Sequence, residues 1–176
     1  MFKYDLDPVK RYTLTKSPQL DLDFAYTQYP IAAYVKSGIA NDTALYPVGG
    51  KKPEGIWYSL GRSWLDWSQA NFPSPQGVDE SKLNPLFEIE VNTDKFICLK
   101  SAEDITNFHN KHSVNGDDTT INWLEVSKLY DGIEINPFNR ELSNLYWYRT
   151  YDVSSGCVWN LKTITKVTRI NKIYAE

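Results

Sequence analysis

Sulfur and imidazole are scarce in this chain: its 176 residues include two cysteines, two histidines and one methionine. Cys98 and Cys157 stand far apart, in no CxxC pattern and with no histidine beside them. A structural zinc site needs several clustered ligands, so this spacing argues against one. The two are read as reduced thiols buried in apolar strands, with a lone disulfide as the alternative. His109 and His112 lie three residues apart, a spacing that can share one helix face. Asn110 and Lys111 between them complete no HExxH pattern, so they are read as exposed helix histidines rather than a metal pair. A Ser-His-Asp triad has poor support without a central histidine, and Cys157 has no neighbouring base to activate it. P-loop and GxGxxG patterns are absent. No apolar run reaches the length of a membrane span, and the N-terminal MFKYDLDPVKRY has no signal-peptide core. The expectation is a cytoplasmic protein. Positive charge is thin as well. The formal net charge is −3, and the densest basic stretches are residues 162–172 (KTITKVTRINK) and Lys51-Lys52. Bulk attraction to nucleic acid is correspondingly weak, and the C-terminal strip reads as the solvated face of a strand.

Aromatic residues are what the chain has in quantity: 6 Trp, 12 Tyr and 7 Phe. Rings bring large buried area with polar tips that need partners, so they pack a core or line a groove. The densest cluster is residues 55–67, GIWYSLGRSWLDW. No repeat, low-complexity stretch or linker divides the chain, which predicts one domain over residues 1–176.

Alternation of polar and apolar residues predicts strands at residues 10–16 and 86–91, and further short strands are expected at 55–60, 96–99, 133–135, 156–159 and 164–173. The four-residue turn NTDK between LFEIEV and FICL predicts a hairpin. Helices are expected at residues 63–70, with Ser63 as N-cap and Trp64, Leu65 and Trp67 on nearly one face. Two more are expected at residues 101–112, opening with a capping-type Ser-Ala-Glu-Asp, and at 121–130. Residues 31–40 could form a short helix closed by Gly38. Residues 140–148 are aromatic and of no assigned type. The fold class is α+β with short strands.

The order of these pieces carries more than any one of them. An early strand holds Arg11-Tyr12-Thr13, and a Trp57-Tyr58-Ser59 strand runs into an aromatic helix. LFEIEVNTDKFICLKSAEDITNF follows, then INWLEVSKLYDGI and a late SGCVWN strand. This succession resembles the ADP-ribosyltransferase superfamily, the NAD-cleaving fold of mono-ADP-ribosyltransferases and diphtheria-type toxins, over roughly residues 10–164. The resemblance implies split mixed β-sheets with flanking helices, NAD as substrate and a protein or nucleic-acid acceptor. It implies that Arg11, helped by Tyr12 and Thr13, meets the phosphate or adenosine side of NAD. Tyr58 would stack on nicotinamide and Ser59 would hold the ribose. The late strand carries Ser155 where the family places a glutamate, so Ser155 falls among the cofactor contacts. Glu134, or failing it Asp152, is then expected to supply the catalytic carboxylate. Two functions follow: ADP-ribosyl transfer or NAD hydrolysis, and a catalytically degenerate module that binds a nucleotide or a partner. The second includes a viral or mobile-element accessory protein that blocks a host factor by contact.

Overall fold

The computed structural model describes residues 2–14, 20, 22, 51–71, 86–170 and 173–174. The expected helix at 31–40 lies outside them. In chain order the elements are β1 (Phe2–Lys3), β2 (Arg11–Leu14), β3 (Ile56–Leu60), α1 (Ser63–Asn71), β4 (Leu86–Val91), β5 (Phe96–Leu99), α2 (Ala102–His112), α3 (Trp123–Leu129), β6 (Gly132–Ile135), α4 (Tyr146–Arg149), β7 (Ser155–Val158), β8 (Ile164–Ile170) and β9 (Ile173–Tyr174). Single 3-10 turns stand at Arg140–Leu142 and Leu161–Thr163. The mixed α+β class and the positions of the main strands agree with the sequence patterns. No described helix is long and apolar enough to cross a membrane.

Seven strands share one sheet in the order β5-β6-β7-β3-β2-β4-β8, and β1 pairs with β9 in a separate ribbon. Every pairing in the large sheet is antiparallel except β5 with β6. A parallel neighbour cannot be reached by a tight turn. The chain between β5 and β6 therefore makes a long excursion, and α2 and α3 are that crossover. The expected β4–β5 hairpin is not formed. β4 has both edges occupied, by β2 and β8, so β5 pairs elsewhere.

This order forces curvature. In a flat sheet, five inter-strand gaps would put β4 and β5 about 24 Å apart. Phe96 is only five residues on from Val91, and that much chain reaches at most about 18 Å. The sheet must curl so that its two ends approach. A register shift at Glu90/Val91 in the β4–β8 pair bends the strand there. On the inside of the curl, Ile89 and Val91 of β4 gather with Phe96 of β5, Ile56, Tyr58, Val158, Leu161 and Ile164 in one cluster.

The other face is covered by helices. Ile133, Ile135, Leu99 and Cys157 pack under Ile105 and Phe108 of α2, Trp123 and Val126 of α3, and Trp147 of α4. Trp147 meets Phe108 at 5.3 Å and Trp123 at 6.2 Å between ring centroids, so Trp123 and Trp147 are core residues, as are Trp159, Tyr148 and Tyr151. Helix α2 begins as expected, with Ser101 as N-cap and a reciprocal bond from Asp104. The histidines do not follow expectation. His109 and His112 are both buried, and His112 packs at a tilt against Phe108 with ring centroids 4.9 Å apart. Ser63 does not act as a cap either; its hydroxyl donates to the Ser154 carbonyl at 2.8 Å and ties α1 to the approach of β7. At the far sheet edge, β8 exposes Lys166 and Arg169, charges that keep an open edge from pairing with another chain.

Candidate active site on the inner face of the sheet

Successive strand residues point to opposite faces, and this divides the candidate residues into two groups. Arg11, Tyr58 and Glu134 meet on the inner face. The Arg11 Nε donates to Glu134 Oε2 at 2.7 Å. The Tyr58 hydroxyl donates to the same oxygen at 2.9 Å. The Arg11 guanidinium also lies 5.7 Å from the centroid of the Tyr58 ring. Residues from β2, β3 and β6, 47 and 123 positions apart from Arg11 in sequence, thus form one hydrogen-bonded cluster.

Register explains how Tyr58 reaches Glu134. Tyr58 sits opposite Gly156 of β7, and Gly156 sits opposite Glu134 of β6. The tyrosine must lie across β7 to span two strands. A Cβ on Gly156 would stand 2.4 Å from Tyr58 Cζ and 2.6 Å from the Ile133 carbonyl oxygen. Only the missing side chain leaves room for the ring. An isolated glycine in the apolar strand SGCV is the sequence signal for such a close approach.

The electrostatics hold the cluster in one state. Burial would lower the pKa of Arg11, but the hydrogen bond to Glu134 and its charge outweigh this, and the value lies above the ordinary one. Burial raises the Tyr58 pKa well above 10.0, and the Glu134 charge adds to the rise. Tyr58 therefore remains a neutral donor and Arg11 a cation. Side-chain exposure is 21% for Arg11 and 14% for Glu134, so both are screened from bulk water but not sealed. Both donors meet Oε2, which leaves Oε1 outside this pair of bonds. Cys98 stands opposite Glu134 on β5; burial first and then the Glu134 charge raise its thiol pKa. Both cysteines are free thiols.

The remaining candidates lie elsewhere. Thr13 shares the Arg11 face by alternation and is buried. Tyr12 points the other way, into a cluster with Tyr4, Leu6, Leu65 and Leu86, and its hydroxyl accepts the Asp7 N–H at 3.1 Å. Ser59 and Ser155 face each other on the outer face. Ser59 is buried and aims its hydroxyl at the Gly61 carbonyl at 3.5 Å, and Ser155 donates to the Val153 carbonyl at 3.0 Å. Asp152 is exposed, beside Ser155 in a cleft on that outer face. Neither serine can share a ligand with Glu134, because the sheet stands between them. The expectation that Tyr58 stacks on nicotinamide also gives way: its ring is fully buried, and its hydroxyl, not its face, is what it offers.

The YDGI turn has a structural job of its own. The Tyr130 carbonyl accepts the Trp159 indole N–H at 2.6 Å, and the Asp131 carboxylate accepts the Asn160 amide at 2.8 Å. These bonds tie the start of β6 to the end of β7 and so set Glu134 against Gly156. Among the described residues no group of three or more His, Cys, Asp or Glu side chains could hold a metal ion. No family model matches the chain, and neither a curated protein nor a solved structure matches it.

Proposed function

We propose that the chain is an ADP-ribosyltransferase-like protein, with Glu134 as its catalytic carboxylate and Arg11 and Tyr58 as the residues that position it. One observation carries this reading: an arginine and a tyrosine from two strands converge on a single carboxylate oxygen of a glutamate on a third, inside a curled sheet. In ADP-ribosyl transfer the bond from the ribose to nicotinamide breaks, nicotinamide leaves with the electron pair, and the ribose carbon becomes cation-like before a nucleophile attacks it. A fixed anion is worth most against such developing charge when it needs no reorganisation. Arg11 and Tyr58 supply that fixity, and Arg11 also provides a cation for a phosphate. Ser59, Ser155 and Asp152 have no part in this site.

Incubation with NAD is expected to release nicotinamide, and Glu134→Gln to slow release by roughly 100-fold or more. Equal rates in wild type and variant would end the enzymatic reading. A second reading, a nucleotide-binding module without turnover, draws on Ser155, which stands on the late strand in place of a carboxylate and faces away from Glu134. Calorimetry with NAD and ADP-ribose separates the two: binding without nicotinamide release supports the module.

A further inference from the structure

On the outer face of the sheet, a cleft of about 300 Å³ is lined by Lys52, Trp57, Trp64, Trp67, Tyr151 and Asp152, together with Val153 and Ser155. We propose that this cleft is an aromatic cage for an alkylated ammonium group, the chemistry shared by choline-like small molecules and by methylated lysine side chains.

Three observations lead there. The first is the angle of the walls. Trp57 and Tyr151 meet edge to face, with centroids 5.1 Å apart and planes at 61°. Inclined rings enclose a compact group, whereas a nucleobase asks for a flat face on which to stack. The second is charge. Asp152 is the one carboxylate among the described lining residues and stands exposed at the cleft. Its backbone has φ 65, a conformation that Asp and Asn tolerate better than most residues.

The third is that the chain already places a cation there. The Lys52 ammonium lies 4.8 Å from the Trp57 ring centroid and 5.7 Å from that of Tyr151. Desolvation lowers its pKa, and attraction to Asp152 opposes the shift. The residue is otherwise exposed, on a flexible four-carbon stem that can swing away. A primary ammonium is strongly hydrated; an alkylated one gives up its water more readily and gains more from the ring faces. Lys52 is the resident cation that such a ligand displaces. The assignment is independent of the inner-face reading, because the two sites lie on opposite sides of the sheet.

The test is titration with tetramethylammonium, followed by tryptophan fluorescence, on folded wild type, Lys52→Met and Asp152→Asn. Lys52→Met is expected to bind roughly threefold to tenfold more tightly than wild type, and Asp152→Asn more weakly by a similar factor. Choline should bind at least about tenfold more tightly than its uncharged tert-butyl analogue. Choline against a trimethyl-lysine peptide then identifies the source, the tighter of the two being the natural one. No saturable binding by Lys52→Met, equal binding of the charged and uncharged analogues, or preference for a nucleoside monophosphate overturns the proposal.

Discussion

Adding one methyl group at Gly156 disturbs the Arg11–Tyr58–Glu134 cluster without replacing any of its three members. The alanine Cβ would sit 2.4 Å from Tyr58 Cζ and 2.6 Å from the Ile133 carbonyl oxygen, so either the ring or strand β6 must move. Overpacking of this kind costs about 1–3 kcal/mol. If the ring moves, its hydrogen bond to an ionised acceptor goes too, a contribution of about 1.5–3 kcal/mol. The two losses overlap because they share one displacement, so Gly156→Ala is expected to destabilise by about 2–4 kcal/mol. Urea unfolding with an unchanged slope measures this directly. Tyr58→Phe isolates the hydroxyl and is expected to lower stability by about 1–2 kcal/mol, since Glu134 keeps Arg11. In the Gly156→Ala background the same Tyr58→Phe change should have almost no effect, because the bond is already broken. A Gly156→Ala protein within about 0.5 kcal/mol of wild type refutes the reasoning. So does an equal Tyr58→Phe effect in both backgrounds.

Three further outcomes follow from the same structure. Burial holds the His112 pKa below 6.5, so the unfolded chain binds the extra proton first; stability present above pH 6.5 should fall as pH drops through the interval below it. His112→Phe should flatten that acid limb in pH-dependent thermal unfolding. At the alkaline end, burial raises the Tyr151 hydroxyl well above 10.0 and the Cys157 thiol well above 9.0, so the unfolded chain loses these protons first. Stability should decline as pH rises past about 9, and Cys157 should resist a thiol reagent until the protein unfolds, which mass spectrometry of the labelled chain reads out. Ser101→Ala removes the cap on the Asp104 N–H; a loss of about 1 kcal/mol is expected, or about 2–4 °C in the melting temperature.

Much of the backbone is legible in the sequence because it is local. Alternation marks Leu86–Val91 as a strand and a short apolar run marks Phe96–Leu99, and Ser101 with Asp104 announces the start of α2. Pairing is not local. A four-residue turn is a good hairpin signal, yet β5 lies five strands from β4 in the sheet order, and nothing in NTDK encodes that. Burial of His109 and His112 is hidden too: both lie on the same helix as Phe108, and the core that Phe108 joins also draws on Trp123 of α3 and Trp147 of α4.

The site is half legible. Arg11, Tyr58 and Glu134 stand out as candidates from element order and from their places on strands. Grouping sequence neighbours into one site is where the expectation fails. Tyr58 and Ser59 are adjacent on one strand, and the two-residue period of a strand sends adjacent side chains to opposite faces. The outer cleft has no such local signal, because Lys52 and Asp152 are 100 positions apart in sequence and come together only in the fold, beside Trp57 and Tyr151. Trp64 and Trp67 read as packing from their helical spacing, whereas both are half-buried and line that cleft.

Nicotinamide release from NAD by wild type, Glu134→Gln and Glu125→Gln tests the central claim most directly. Glu125 is an exposed helix residue paired with Lys128, so its variant controls for the loss of a carboxylate as such. The inner-face assignment predicts release by wild type and Glu125→Gln at similar rates, and a rate lower by roughly 100-fold or more for Glu134→Gln. Release that is undiminished in Glu134→Gln would contradict it.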